Sequence, residues 1–234
     1  GRILEELQRA MGYGIKVLHS VDNILDPAYF DDVLPRLAAV NDGCEIFWPV
    51  RPTLDRGQLA LLQRSGVCWI QVGIESLSTS VLRIIGKGTT AFHNVRLLMH
   101  AAEFGLGASW NVLFGFVGED PEAYRQMASL MPALAHLQPP RMCYQIRMDR
   151  FSPLFDRRHG VKNVVPALAY DALFPFERGI VERLAYYFEY EYADQPDPFS
   201  YVGGCLDAVA SWRREVGQAA LICFDSGATM HVCD

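Results

Sequence analysis

The 234-residue sequence has no CxxC pair, no CxxxCxxC run and no HxxxH or HExxH spacing. Its six cysteines (44, 68, 143, 205, 223, 233) and six histidines (19, 93, 100, 136, 159, 231) are scattered. Metal sites assembled from short thiolate or imidazole pairs are therefore not read from local motifs. Neither a GxSxG elbow nor a P-loop is present, and there is no internal repeat or low-complexity tract. No apolar run reaches the roughly 18–20 residues that span a bilayer, and no signal-peptide pattern opens the chain. Lys and Arg total 21 against 27 Asp and Glu, a net charge of −6, which leaves no broad basic field for nucleic acid. The expectation is a cytoplasmic protein with neither a nucleic-acid nor a membrane partner. The first residue is glycine rather than methionine, so an absent motif does not exclude an activity.

Half of the residues are hydrophobic and 12% are aromatic, enough for one sizeable core with a small appendage. Apolar residues recur at helical spacing in Arg2 to Tyr13, and Gly12 and Gly14 stop that helix. "IKVLHSVDNIL" reads as a strand and "PAYFDDVLPRLAAV" as a helix with Pro27 near its start. "CEIFWPV" is the next strand. "DRGQLALLQRSG" follows as a helix, with Asp55 as candidate N-cap and Gly66 past its end. "VCWIQVGI", "ASWNVLFGF" and "MCYQIRMDRF" are further strands, separated by "TAFHNVRLLMHAAEFG" and "PEAYRQMASLMPALAHL" as helices. Strand and helix in regular alternation demand parallel strands joined by right-handed crossovers. The class expected is α/β, a partial (β/α) barrel of TIM type over residues 1–155. Residues 156–234 are expected to be an appendage of helices ending in a small hairpin that turns at Asp225-Ser226-Gly227.

Polar residues gather where the strands end, at Asp22, Arg51, Glu75, Asn111 and Arg147. The carboxyl ends of strands build the site in both barrels and open sheets. Glu75, two residues past Gly73, can hold a ribose or an ammonium, or serve only as an acid at a helix start. Lys87, set between two glycines twelve residues on, is free to reach an anion, or is simply solvated. Asp22 and Asn23 can bind an amine or start an Asx-turn. Gly115 and Gly118 in "FGFVGED" let the backbone approach a flat ligand, or only make a tight turn. Arg147, Asp149 and Arg150 can meet an acidic or backbone group of a peptide, or form structural ion pairs.

Together, "NVLFGFVGE" and "IES" resemble the fifth- and fourth-strand elements of the radical S-adenosylmethionine superfamily. More narrowly, "VDNILD", "EIFWPVRPTL", "IQVGIESLSTSVLRIIGKGTT", "HLQPP", "IRMDRFSPLF" and "YYFEYEYAD" resemble its cobalamin-binding members called RiPP maturation radical SAM protein 1. The resemblance runs from about Arg2 to "HVCD". It implies an enzyme that modifies a ribosomally synthesised precursor peptide, by cobalamin-dependent C-methylation. Asp22, Asn23, Arg51, Glu75, Ser76, Lys87, Asn111, Gly115 and Gly118 would contact S-adenosylmethionine, and Arg147 and Arg150 the peptide. The resemblance also places the first βα unit, the cysteine loop for a 4Fe-4S cluster and a cobalamin domain before Gly1. The expectation is then that this chain carries no cluster ligands and is inactive alone. Two departures from the family pattern are Val117, where proline is usual, and "PVRPTL". The rival readings are a non-catalytic peptide-binding barrel and an unrelated barrel enzyme. The latter predicts a perturbed histidine or carboxylate pair at the barrel mouth.

Overall fold

The computed structural model describes residues 2–157, 159–227 and 229–233. In chain order the first part runs α1 (Arg2–Gly12), β1 (Val17–His19), α2 (Val33–Val40), β2 (Glu45–Val50), α3 (Arg56–Arg64), β3 (Val67–Val72), α4 (Thr79–Ile84) and α5 (Ala91–Glu103). It continues β4 (Gly107–Ser109), β5 (Asn111–Phe114), α6 (Pro121–Leu130), β6 (Met142–Gln145) and β7 (Met148–Asp149). Strands β1-β2-β3-β4 form one parallel sheet and β5-β6 a second parallel pair. A parallel bridge between Glu75 and Val112 joins them, with the Leu113 amide donating to the Glu75 carbonyl at 2.8 Å. The result is the curved wall of an open barrel, with strands adjacent in the order that the alternation predicts.

The starts of the helices follow from local chemistry. Asp55 and Gln58 form a reciprocal capping box at α3, and Asp120 caps α6 ahead of Pro121. The wall has two faces because strand side chains alternate. Ile46, Trp48, Val50, Ile70, Val72, Ile74, Ala108, Trp110, Val112 and Phe114 are buried in one core that also takes up residues of α2, α3, α5 and α6. Their neighbours Trp69, Gln71, Ser109, Asn111, Met142 and Tyr144 face the uncovered inner side and stay partly or fully exposed.

After β7 come α7 (Pro153–Arg157), β8 (Val161–Pro166), α8 (Ala169–Leu173), α9 (Arg178–Leu184), β9 (Tyr187–Tyr192), α10 (Gly203–Glu215), β10 (Ile222–Asp225) and β11 (Met230–Cys233). The terminal hairpin is antiparallel, as expected. "YFEYEY", expected within a helical tail, is instead strand β9 at the centre of an antiparallel sheet ordered β7-β9-β8. Alternation of aromatic and acidic residues from Phe188 to Tyr192 suits a half-buried strand, and bulky aromatics favour one. "MCYQIRMDRF", expected as one strand, divides at Ile146-Arg147 between this sheet and the parallel wall. Helix α10 lies against the outer face, where Trp212 is fully buried, meets Trp110 edge-on at 5.8 Å and donates from Nε1 to the Leu137 carbonyl at 3.0 Å.

That contact predicts that Trp212→Ala destabilises the protein by about 3–5 kcal/mol, from lost burial plus an unfilled cavity. Equilibrium denaturation by urea measures it. A loss below about 1 kcal/mol would show that α10 is only loosely docked.

Candidate functional site

A cavity of about 710 Å³ opens on the inner face of the barrel wall, lined among others by Gln71, Ser109, Asn111, Leu113, Tyr144 and Ile146. Each strand contributes through alternation, so its floor is polar toward β3 and β4 and apolar toward β6. Asn111 proves to be an inner-face residue within the wall rather than a strand tip. Gln71 and Ser109 were not singled out from the sequence. The period-two pattern places both on the inner face, but without the register nothing in the sequence brings them together.

Just past the end of β3, four residues beyond Gln71 of the cavity lining, comes Glu75, which meets Lys87. Lys87 Nζ donates to Glu75 Oε1 at 2.9 Å, and the two side chains are 32% and 22% exposed. A Cβ added to Gly73 would stand 3.1 Å from that Nζ and 3.3 Å from that carboxylate oxygen. The pair therefore lies over Gly73, on the same strand face as Gln71. Glu75 has φ +61°, a left-handed conformation that costs a non-glycine residue roughly 1–2 kcal/mol. Asn94 from α5 holds it there. Its fully buried amide donates to the carbonyls of Ile74 at 3.2 Å and Ser76 at 3.0 Å, on both sides of Glu75. Asn94 was missed because a polar residue on an apolar helix face carries no long-range address.

Other expected site residues are placed differently. Ser76 is fully buried, its hydroxyl against Met127 Sδ at 3.3 Å and the Ser78 amide at 3.0 Å, so it serves the turn and does not open to the cavity. Asp22 and Asn23 are exposed in the segment after β1, where the Ser20 hydroxyl donates to Asp22 at 3.1 Å. Arg51 is exposed at the end of β2, one residue beyond the buried Val50. Arg147 lines the cavity mouth, donating to Asp149 at 2.6 and 3.2 Å and stacking 3.8 Å over Tyr187. The Asp149 carboxylate holds the Arg147 guanidinium above its usual pKa. Arg150 is spent inside the fold: it donates to the carbonyls of Ala185 at 2.6 Å and Glu182 at 2.5 Å and lies over Phe155 and Phe188. These bonds use two of the five guanidinium N–H donors, one on Nε and one on Nη2.

The loop after β5 is the most heavily bonded part of the site. Glu119, 7% exposed, accepts the amides of Gly115 at 2.7 Å and Phe116 at 2.8 Å, the Tyr124 hydroxyl at 2.6 Å and the Tyr201 hydroxyl. Burial, reinforced by the nearby Glu119 carboxylate, raises the Tyr124 and Tyr201 phenols above their ordinary pKa, so both remain donors. Gly115, at φ +89°, approaches a tyrosine of its own chain rather than an open ligand surface. A Cβ there would meet the Tyr192 hydroxyl at 2.6 Å and Gln145 Cγ at 2.9 Å. The Gly118 amide donates to Gln195 at 2.8 Å. A flat ligand in the cavity is left to Leu113, Tyr144 and Ile146.

Among the described residues, no group of three or more His, Cys, Asp or Glu side chains converges into a metal site. The six cysteines are free thiols. Cys143 and Cys205 face one another, and their hydrogen bond together with burial raises the Cys205 pKa. Among the described residues, the thiols are not gathered as the three cysteine ligands of an iron–sulfur cluster would be. The inner-face residues suit S-adenosylmethionine: an acid and a base are held side by side over Gly73, two residues beyond Gln71 of the cavity lining. Among the described residues, no helix is long and apolar enough to cross a membrane.

The model of the radical SAM superfamily matches residues 1–131. Over 127 residues the chain is 30% identical to the uncharacterized methyltransferase PH0819 of Pyrococcus horikoshii, covering 52% of this chain and 27% of that protein. Its fold resembles the radical S-adenosylmethionine methyltransferase TsrM of Kitasatospora setae, solved with cobalamin and a [4Fe-4S] cluster. There the TM-score is 0.62 at 18% identity, over 89% of this chain and 45% of that one. TsrM with tryptophan and the analogue aza-SAM gives 0.63 at 17% identity and the same coverage. The coproporphyrinogen III oxidase HemN of Escherichia coli gives 0.51 at 16% identity, over 91% of this chain and 45% of that one. The chain thus spans about a quarter of the curated relative and less than half of these structures. With the matched model covering more than half of its residues, the chain belongs to the radical S-adenosylmethionine superfamily.

Proposed function

We propose that this chain is the barrel portion of a radical enzyme that C-methylates a ribosomally synthesised precursor peptide, using S-adenosylmethionine, a 4Fe-4S cluster and cobalamin. The observation that carries the reading is the Glu75–Lys87 pair, held at a strained backbone position just beyond the strand whose Gln71 lines a cavity of about 710 Å³. Strain that the surrounding structure maintains points to a site in use. The cofactors supply the one-electron chemistry and the methyl group; the protein supplies orientation, charge and exclusion of water.

Lys87 would hold the methionine carboxylate and Glu75 the ammonium or ribose hydroxyls, exchanging their mutual contact for the ligand's charges. Asn111 would bond the ribose, and Asp22 and Asn23 would lie near the amino group. Arg51 would add a cation at the end of β2. The nucleobase would lie against Leu113 and Ile146, with Gly115 and Gly118 framing it from the adjoining loop. Arg147, backed by Asp149 and Tyr187, would meet the peptide at the cavity mouth. The named ligands of TsrM, cobalamin, cluster and aza-SAM, support this assignment of cofactors.

Glu75→Gly separates function from stability. Glycine relieves the left-handed strain, so stability should hold or rise by up to about 1 kcal/mol. Affinity for S-adenosylhomocysteine should fall by about 1.5–3 kcal/mol, the value of a charge-assisted hydrogen bond. Calorimetric titration of the wild-type chain and the variant reads both; a wild type that does not bind, or a variant that binds as well, sinks the reading.

The dispersed thiols predict that the chain as given purifies with far less than one iron per molecule and does not reductively cleave S-adenosylmethionine. Adding an upstream segment with a CxxxCxxC loop should restore both. Iron assay decides it: four irons bound by this chain alone would overturn the proposal that the ligands lie elsewhere.

A further inference from the structure

The C-terminal segment reaches back over the wall and, besides the Tyr201 bond to Glu119, meets the loop after β5 at three points. The Tyr192 hydroxyl donates to the Gly115 carbonyl at 2.5 Å and accepts from Gln145 Nε2 at 3.2 Å. Gln145 itself lines the cavity. Gln195 takes the Gly118 amide on its oxygen at 2.8 Å and gives its Nε2 to the Phe116 carbonyl at 3.3 Å. Beside Tyr192, the Tyr190 hydroxyl donates to the carbonyl of Ile146, another cavity residue, at 3.2 Å. Phe199 closes edge-on over Phe114 at 5.4 Å.

We infer that Tyr192 and Gln195 are positioning residues for the nucleoside end of the ligand, acting through the loop after β5 and through Gln145 of the cavity lining. The inference rests on the S-adenosylmethionine reading above. Within the loop, Glu119 accepts the amides of Gly115 and Phe116 and gives its own amide to the Phe116 carbonyl at 3.1 Å. The Gly115 carbonyl and the Gly118 amide have their partners in the tail, and the Phe116 carbonyl takes a second donor from it. A phenol has one proton to give and lone pairs to receive with. Tyr192 uses both, so it locks the loop to the cavity wall at Gln145. Without it the Gly115 carbonyl and the Gln145 amide lose their common partner, and loop and wall must be ordered when ligand binds. A binding surface that is ordered in advance loses less on association.

Tyr192→Phe keeps the ring and removes only the hydroxyl; Gln195→Ala removes the second brace. Each should weaken S-adenosylhomocysteine binding about five- to tenfold, the worth of one or two neutral hydrogen bonds. Hydrogen exchange at the amides of Gly115 to Gly118 should quicken in the ligand-free variants, and ligand should slow it again. In the complete enzyme KM for S-adenosylmethionine should rise with kcat little changed, because the brace touches no reacting atom. If the wild type binds and both variants bind within twofold of it, the positioning role is overturned while the cofactor reading stands. If the wild type does not bind, both fall together. Should Tyr192→Phe fail to fold, Gln195→Ala decides by the same measure.

Discussion

The carboxylate of Glu119 is the constraint on which the site depends. A buried charge with no cation beside it is costly unless its oxygens are fully hydrogen-bonded. Here four donors come from three parts of the chain: two loop amides, Tyr124 of α6 and Tyr201 of the tail. Satisfying one carboxylate therefore fixes where the loop after β5 turns, how α6 leaves it and where the tail returns. Buried networks of this kind tolerate little partial loss, which makes them specifying as well as stabilising.

The two faces of the wall divide the work. Parallel strands need crossover helices, and all of these lie on the outer side, where one continuous core forms. The inner side is left with polar and aromatic side chains around an open cavity. On that face the chain keeps a strained glutamate where glycine would be easier, splinted by Asn94 from the core behind it. Stability is drawn from one face and placed at the disposal of the other, the arrangement expected of a site on a rigid scaffold.

Much of the wall was legible in the residues. Alternation in "CEIFWPV" and the cap at Asp55 act over a few residues and need no partner to be read, whereas "ASWNVLFGF", expected as one strand, divides at Trp110 into β4 and β5. The βα rhythm then implied parallel neighbours in sequence order, which the register bears out. The tail was harder. "YFEYEY" carries a strand's period, yet its neighbours β7 and β8 are short segments with weak signals of their own, and short aromatic runs are ambiguous between helix and strand.

Sequence by itself determined the class of fold, the set of polar groups at or near the strand ends and the family, because periodicity, capping and motif chemistry are local. Tertiary structure alone decided which groups meet. It turned Ser76 inward and spent Arg150 on two carbonyls, and it gave Gly115 a tyrosine for a neighbour instead of open space. The bonds responsible join residues 51, 35, 32 and 77 positions apart: Ser76 to Met127, Arg150 to Ala185 and Glu182, and Tyr192 to Gly115. A hydrogen bond of that span leaves no periodic trace in the chain; it exists only once the sheet's register and the tail's return path have brought donor and acceptor together.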